Sequence, residues 1–403
     1  MNGREVTLGD HVKLITGYPF KSAEYQEEKD GFYRLLRGDN IGQGVLRWEG
    51  ARFWPLSRAE NYEAMRLIAG DVVLAMDRPW IGAGLKWAVV RQNDMPALLV
   101  QRVARLRGCD TLLQSYLPYV IASAAFTDHV QAITTGSNVP HISGRDIKAF
   151  RFSIPSVAEQ RRIASILSAY DDLIEVNRRR VTILEEMARR LFEEWFVHLR
   201  FPGHEAVSMH DTPDGPLPEG WAMGLVSDLL TLHRGYDLAT SDRSPGEVPI
   251  ITGSGRNGTH DAYKIEAPGV VTGRSGTIGQ IFLVHENFWP LNTALYVSSF
   301  TCVGPTFALF LLRQLDLRTR AGGAAVPTLN RNHVHLLPVL RPPLALMERY
   351  ERLAAPALQQ AWVLEQQSER LAAARGLLLP RLISGELSVA DASIPDRLSE
   401  AAD

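Results

Sequence analysis

The sequence predicts an α+β chain with two mixed α/β heads and two long helices, built as an internal repeat. Three observations carry that expectation. One pattern occurs twice, 187 residues apart: Gly136-Ser137-Asn138-Val139-Pro140-His141-Ile142, Ile147 and Ile154-Pro155 return as Gly323-Ala324-Ala325-Val326-Pro327-Thr328-Leu329, Val334 and Arg341-Pro342. Each copy leads into a long stretch whose apolar residues recur every three or four positions, the period of a helix with one buried stripe. Each copy is preceded by short β-like runs punctuated by Gly, Asp and Pro.

In the first head, strand character is expected around Leu35–Ile41, Gly70–Ala75 and Leu98–Ala104, with a helix near Ser115–Phe126. The second head repeats the style at Val248–Ile251, Gly269–Val271, Gly279–Val284 and Leu295–Val297, with a helix near Phe307–Leu317. Gly17-Tyr18 is echoed by Gly235-Tyr236, and Trp80-Ile81-Gly82 by Thr277-Ile278-Gly279, at unequal offsets. Unequal offsets mean loops of different length on a shared scaffold.

From Ala158 to Phe196 there is no Pro or Gly, and Ile163, Ile166, Leu167, Tyr170, Leu173, Ile174, Val181, Leu184, Met187, Leu191 and Trp195 form a coiled-coil type stripe. Ser156 with Glu159 three residues on has the pattern of a capping box. Asn177 either lies inside the stripe and sets its register or faces solvent. The second helix, from about Leu344 to Leu379, contains Pro356, which should kink it or move its start. A Pro/Gly-rich linker from Phe201 to Trp221 precedes the second head. The division is therefore a first head at 1–155, a central helix at 156–200, a linker and second head at 201–342, a C-terminal helix at 343–387 and a polar tail at 388–403.

Composition is that of an ordinary globular chain, 45% hydrophobic and 22% charged. There is no run of 18 apolar residues, Met1–Asp10 is polar, and Cys109 and Cys302 stand alone. A membrane span, a signal peptide, a disulfide framework and a metal site are not expected, and cytoplasm is the default. Two heads on two helices suit reading two patches of one elongated partner, such as DNA. With 43 Lys+Arg against 45 Asp+Glu, the chain has little general attraction for phosphate. DNA contact should then be local, with partners supplying much of the backbone contact.

These residues resemble the specificity (S) subunit of Type I restriction-modification enzymes along essentially the whole chain. The likeness is carried by Val139-Pro140-His141-Ile142-Ser143, Pro155-Ser156-Val157-Ala158-Glu159-Gln160, Leu217-Pro218-Glu219-Gly220-Trp221 and Leu382-Ile383-Ser384-Gly385-Glu386-Leu387, in this order and with the duplication. The resemblance implies two target recognition domains, each reading half of a split, asymmetric double-stranded DNA sequence, separated by two antiparallel helices in a coiled coil. It implies a non-enzymatic subunit that docks two methyltransferase subunits, with restriction (motor-nuclease) subunits as optional additions. S-adenosylmethionine, and ATP with Mg, would belong to those partners, and this chain would bind no cofactor. At the second copy Leu344-Ala345-Leu346-Met347-Glu348 departs from the signature.

No motif for chemistry stands out. There is no phosphate-binding GxxxxGK[ST], and Arg341-Pro342-Pro343-Leu344 lacks the amide of an amino-methyltransferase tetrapeptide. Gly253-Ser254-Gly255-Arg256-Asn257-Gly258 reads as a flexible loop. His333 and His335, in an expected strand, read as structural. Base reading needs amides and fork-like donors at loop tips. The candidates in the first head are Tyr18, Lys21, Arg37, Asn40, Arg78, Trp80, Lys86, Ser137, Asn138 and His141. Those in the second are Arg234, Tyr236, Arg256, Asn257, Arg274, Ser275, Arg331 and Asn332. Leu184, Met187, Phe192, Trp195, Phe196, Leu371 and Leu378 exceed what two helices can bury against each other and are candidates for partner docking. A scaffold whose heads bind proteins remains open at this level.

Overall fold

The structure is a computed structural model that describes residues 4–27, 31–82, 84–134, 140–213, 215–320, 322 and 327–388. Packing divides the chain into two units, Met1–Ile174 with Arg370–Asp403, and Glu175–Glu369. Each long helix contributes one part to each unit.

The duplication seen in the sequence holds for three sheets of each unit; the hairpins Trp80–Ile81 with Gly84–Leu85 and Met209–Thr212 with Gly215–Pro218 have no counterpart among the described residues. The first unit has an antiparallel sheet in the order Val12–Thr16, Val103–Gly108, Val72–Ala75, Trp87–Val89. The second has the same order in Leu230–Arg234, Ala294–Phe300, Gly269–Gly273, Ile281–Val284. In the first unit, Arg52–Pro55, Phe32–Leu36 and Ala97–Leu99 form a further, three-stranded sheet whose last pair is parallel. In the second unit, Gly255–His260, Val248–Thr252 and Trp289–Pro290 repeat it, parallel pair included. Arg4–Thr7 pairs with Arg151–Ile154 as Ala222–Leu225 pairs with Pro338–Arg341. The inner strands Val72–Ala75 and Gly269–Gly273 are buried on both faces, which is why they read as continuous small or apolar runs rather than alternating ones.

The first long helix, Val157–Phe192, begins at the expected cap. Ser156 Oγ accepts from the Glu159 N–H at 3.3 Å, and the Glu159 carboxylate accepts from the Ser156 N–H at 3.0 Å. One turn on, the fully buried Gln160 satisfies three backbone groups, accepting from Leu113 N–H and donating to the Thr111 and Pro155 carbonyls. That amide ties the start of the helix to the loop behind the sheet. In the second unit the tie is made differently. Glu351 accepts from the N–H groups of Thr306 and Phe307 at 2.9 and 3.0 Å, at the start of helix Pro305–Gln314. A carboxylate there meets the unpaired donors and positive end of that helix.

Within each unit the two long helices run antiparallel. In the first, Ile163 and Leu167 share a core with Leu382, and Asp171 pairs with Arg375 and accepts from the Tyr119 hydroxyl. In the second, Val181 packs with Ala361 and Leu364, and the Tyr350 hydroxyl donates to the Ala188 carbonyl at 3.0 Å. Ile163 and Tyr350, the positions matched by the 187-residue offset, are both fully buried. Asn177 is only 6% exposed, so it lies in the seam.

Three local expectations change. The second helix, Leu344–Ile383, runs unbroken through Pro356. Pro356 sits on the exposed side, where water can take the Arg352 carbonyl that loses its partner. Gly253–Gly258 is mostly not a loop: Gly253-Ser254 is the turn of a hairpin whose second strand begins at Gly255. His333 and His335 lie on a short helix, Arg331–His335, not a strand, and His335 is structural as expected: its Nε2 accepts from the Leu232 N–H at 2.8 Å.

Candidate functional site

Gly-Tyr marks the same crossing in both units. Gly17 N–H donates to Val103 O and Tyr18 N–H to Leu99 O; Gly235 N–H donates to Ala294 O and Tyr236 N–H to Pro290 O. A Cβ on Gly17 would lie 2.1 Å from the Val100 carbonyl oxygen, and one on Gly235 2.2 Å from that of Leu291. Only glycine permits this approach, and it delivers the next residue, a tyrosine, to the surface. Tyr18 is 42% and Tyr236 36% exposed.

The surroundings of the two tyrosines differ. Tyr18 stands edge-on to Phe20 at 5.1 Å and against Tyr62 at 4.7 Å, in a cluster completed by Trp54. Tyr236 stacks on Tyr296 at 6.0 Å, and their hydroxyls are 3.0 Å apart. Burial, reinforced by that hydrogen bond, raises the Tyr296 hydroxyl well above its usual range. Lys264 sits over the rings of Trp289 at 4.9 Å and Tyr236 at 5.7 Å. Neither Tyr62 nor Lys264 was among the sequence candidates, because each reaches its tyrosine from a distant segment, Tyr62 from the 3-10 turns of Leu56–Met65 and Lys264 from a loop.

In the first unit the other candidates divide. Lys21 and Arg78 are exposed, and Arg37, Trp80 and Trp87 are half-buried. Asp77 accepts from Arg102 and pairs with His141, each at 2.5 Å. Lys86 is 7% exposed, and its ammonium has no hydrogen bond or ion pair among the described residues. Burial holds its ammonium below the usual range, and Arg78 adds to this against the opposing pull of Asp39 and Asp77. Asn40 does not fit a base-reading role. It is buried, accepts from the Arg37 N–H at 3.1 Å and donates to the Arg47 carbonyl at 3.0 Å, so its amide is consumed in its own turn. Ser137 and Asn138 lie outside the described residues.

In the second unit Arg234 pairs with Asp237 at 3.0 Å and Arg256 with Glu286 at 3.2 Å, both near half-exposed. Arg243 donates to Asn257 at 3.3 Å. Arg274 is held at the Asn292 carbonyl, and Ser275 bridges to Thr328. Arg331 and Asn332 open their short helix, with Asn332 exposed. His260 is buried, and its Nδ1 accepts from the Ser244 N–H.

The docking candidates need the larger correction. Phe192, Trp195 and Phe196 are 3%, 6% and 4% exposed and belong to the core of the second unit, ringed by Trp221, Phe307 and Tyr350. A wider, π-type turn at Glu193–Val197 turns the adjacent Trp195 and Phe196 both inward. Leu184 packs beside Val181, Leu371 is half-buried and Leu378 packs on the core of the first unit. Met187 alone of the seven is largely exposed, at 58%.

Among the described residues no three or more His, Cys, Asp and Glu side chains are grouped to hold a metal ion, and no helix is long and apolar enough to cross a membrane.

Residues 3–186 match the family described as the Type I restriction modification DNA specificity domain. The chain is 29% identical over 187 residues to the Type I restriction enzyme MjaVIII specificity subunit of Methanocaldococcus jannaschii, covering 46% of this chain and 43% of that protein. It is 33% identical over 169 residues to the EcoAI specificity subunit of Escherichia coli, covering 42% and 28%. With the MjaIX specificity subunit of M. jannaschii it shares 24% identity over 350 residues, covering 81% and 80%. The matched stretch thus spans less than half of the first two relatives and four-fifths of the third. The fold is similar to the solved S subunit of a Type I restriction-modification system from M. genitalium, with a TM-score of 0.63 at 14% identity over 95% of this chain and 96% of that one.

Proposed function

We propose that the chain, which is similar to Type I restriction enzyme specificity subunits, reads a bipartite, asymmetric double-stranded DNA target, one half with each unit, and performs no chemistry itself. The observation that carries this reading is the exposed tyrosine placed by an obligatory glycine at the same crossing of both units, on matched sheets but among different neighbours. One scaffold used twice with different surface chemistry suits two different half-sites. The DNA-facing residues are then Tyr18, Lys21, Arg37, Arg78, Trp80, Lys86 and His141 in the first unit. In the second they are Arg234, Tyr236, Lys264, Arg256, Asn257, Arg274, Ser275, Arg331 and Asn332. Two methyltransferase subunits dock on the long helices and bring S-adenosylmethionine. Restriction subunits, where they join, bring ATP with Mg. The complex works in the cytoplasm, where its DNA is.

The test is half-site binding by the chain reconstituted with its methyltransferase partners. Tyr18→Ala should lose discrimination in one half only and Tyr236→Ala in the other only, each by about 1–3 kcal/mol, the range of a lost base contact or stacking platform. Equal weakening of both halves by each variant contradicts the division of labour. The absence of any sequence-selective, salt-dependent shift by the native complex favours the protein-binding scaffold instead.

Docking has its own test. Met187→Glu should leave the chain folded and weaken assembly with the methyltransferase about tenfold, a cost of roughly 1.4 kcal/mol. Undiminished co-elution on size exclusion places the docking surface elsewhere.

A further inference from the structure

One corner of the first unit departs from its counterpart in the second. The correspondence is set by main-chain hydrogen bonds. Ile142 N–H donates to Met76 O and Met76 N–H to Arg102 O; likewise Leu329 N–H donates to Arg274 O and Arg274 N–H to Thr293 O. The bridge Asp77–His141 matches Ser275–Thr328. Arg78 therefore occupies the place of Gly276, and the strand pairings Leu74–Trp87 and Thr272–Ile281 put Lys86 at the place of Gln280.

Gly276 has φ +78°, and Arg78 has φ +44°. The left-handed backbone here suits glycine, and the second unit has glycine. The first unit holds an arginine in the same conformation. Arg102, the neighbour across Asp77, is left-handed too, with φ +66°. Among the described residues only four non-glycine residues have positive φ, and two of them flank this one aspartate. Strain kept where a glycine would relieve it points to a function for the side chain.

The charges at the corner point to what that function is. The Asp77 carboxylate is already engaged by Arg102 and His141. Among the described residues Arg78 has no side-chain hydrogen bond or ion pair, and neither has the ammonium of Lys86 beside it. Two adjacent cations without a hydrogen-bonded partner repel each other, a cost that a further acceptor would offset. We infer that Arg78 and Lys86 form a two-cation subsite for an electron-rich oxygen or nitrogen acceptor of DNA, present in the first unit and absent from the second. This rests on the DNA-reading function proposed above. A guanine edge offers such acceptors, and so does a phosphate.

The test uses the full chain with its partner subunits and duplexes in which each base pair of the first half-site is changed in turn. Arg78→Gly, which restores the residue type of the second unit, should keep the melting midpoint at or above that of the native chain while lowering affinity roughly tenfold or more. Lys86→Gln, with Lys86→Met as a second variant that keeps an apolar stem at this buried position, should lower it similarly. If the acceptor is a base, the loss appears at one base pair and the other positions keep their discrimination. If it is a phosphate, the loss is uniform across sequences and the slope of log affinity against log salt falls by about 0.9. Either result supports the subsite. Binding within twofold of the native chain on every duplex overturns it, as does an Arg78→Gly chain that loses stability and binding together. A native chain that discriminates no sequence removes the DNA-reading function itself, and the subsite with it.

Discussion

Phe192→Asp is expected to unfold the second unit. Phe192 is 3% exposed at the centre of an aromatic cluster, with ring centroids of Phe196, Phe307, Phe310 and Tyr350 between 5.2 and 5.9 Å away. A carboxylate there would be taken out of water among aromatic rings and would also forfeit the ring contacts. The combined cost is roughly 4 kcal/mol or more, a large part of the stability of an ordinary domain. Hydrogen exchange should show early loss of protection in Leu230–Arg234 and Ala294–Phe300, the strands of that core. Trp195→Asp should behave alike. A variant that stayed as stable as the native chain and lost only partner binding would restore these rings to a docking role and contradict their burial.

The second large effect comes from adding a single methyl group. Gly17→Ala puts Cβ 2.1 Å from the Val100 oxygen and 2.3 Å from its carbonyl carbon, and Gly235→Ala puts it 2.2 and 2.6 Å from the same atoms of Leu291. The obstacle in both cases is main chain, which cannot swing aside as a side chain can. Each substitution should cost about 3 kcal/mol, the upper end of overpacking, and should displace the tyrosine that follows. Gly376→Ala is the contrasting case. Nothing lies within 4 Å of its added Cβ, and it sits inside a helix, so it should stabilise by about 0.5–1 kcal/mol. Thermal melts of the three variants check both signs. Neutral behaviour of Gly17→Ala and Gly235→Ala would show that the crossings are looser than described.

Much of the architecture was legible because its signals are local. Ser156 and Glu159 announce a helix start whatever surrounds them, and Gly-Tyr recurs because the same crossing recurs. Ile163 and Tyr350 were matched by offset alone and prove equally buried. What failed were inferences that needed to know what covers a face. Phe192, Trp195 and Phe196 stood out as apolar beyond the needs of a helix pair, and periodicity cannot say whether the covering surface is another protein or the neighbouring sheet. Asn40 looked like a base reader because it is an amide at a loop tip; there the amide binds the Arg37 N–H and the Arg47 carbonyl instead. Pro356 signalled a break, yet one missing donor on a solvated side leaves a helix intact. Lys264 joins the Tyr236 site through long-range packing that no motif encodes. The strain at Arg78 is invisible without the backbone angles, although the echo of Trp80-Ile81-Gly82 in Thr277-Ile278-Gly279 marked the region.

The central claim is that the two units read two separate stretches of DNA. It is tested most directly by the methylated motif, obtained by sequencing DNA from cells that express the chain with its methyltransferase partners. The native chain is compared with one carrying four extra residues near Asn177 and four near Leu364. The account predicts two short specific segments separated by a gap of constant length. In the lengthened chain both segments should be unchanged and the gap longer by about one or two base pairs, since a helical turn rises about 5.4 Å and a base pair about 3.4 Å. A single uninterrupted motif, or altered bases within the segments with the gap unchanged, would contradict it.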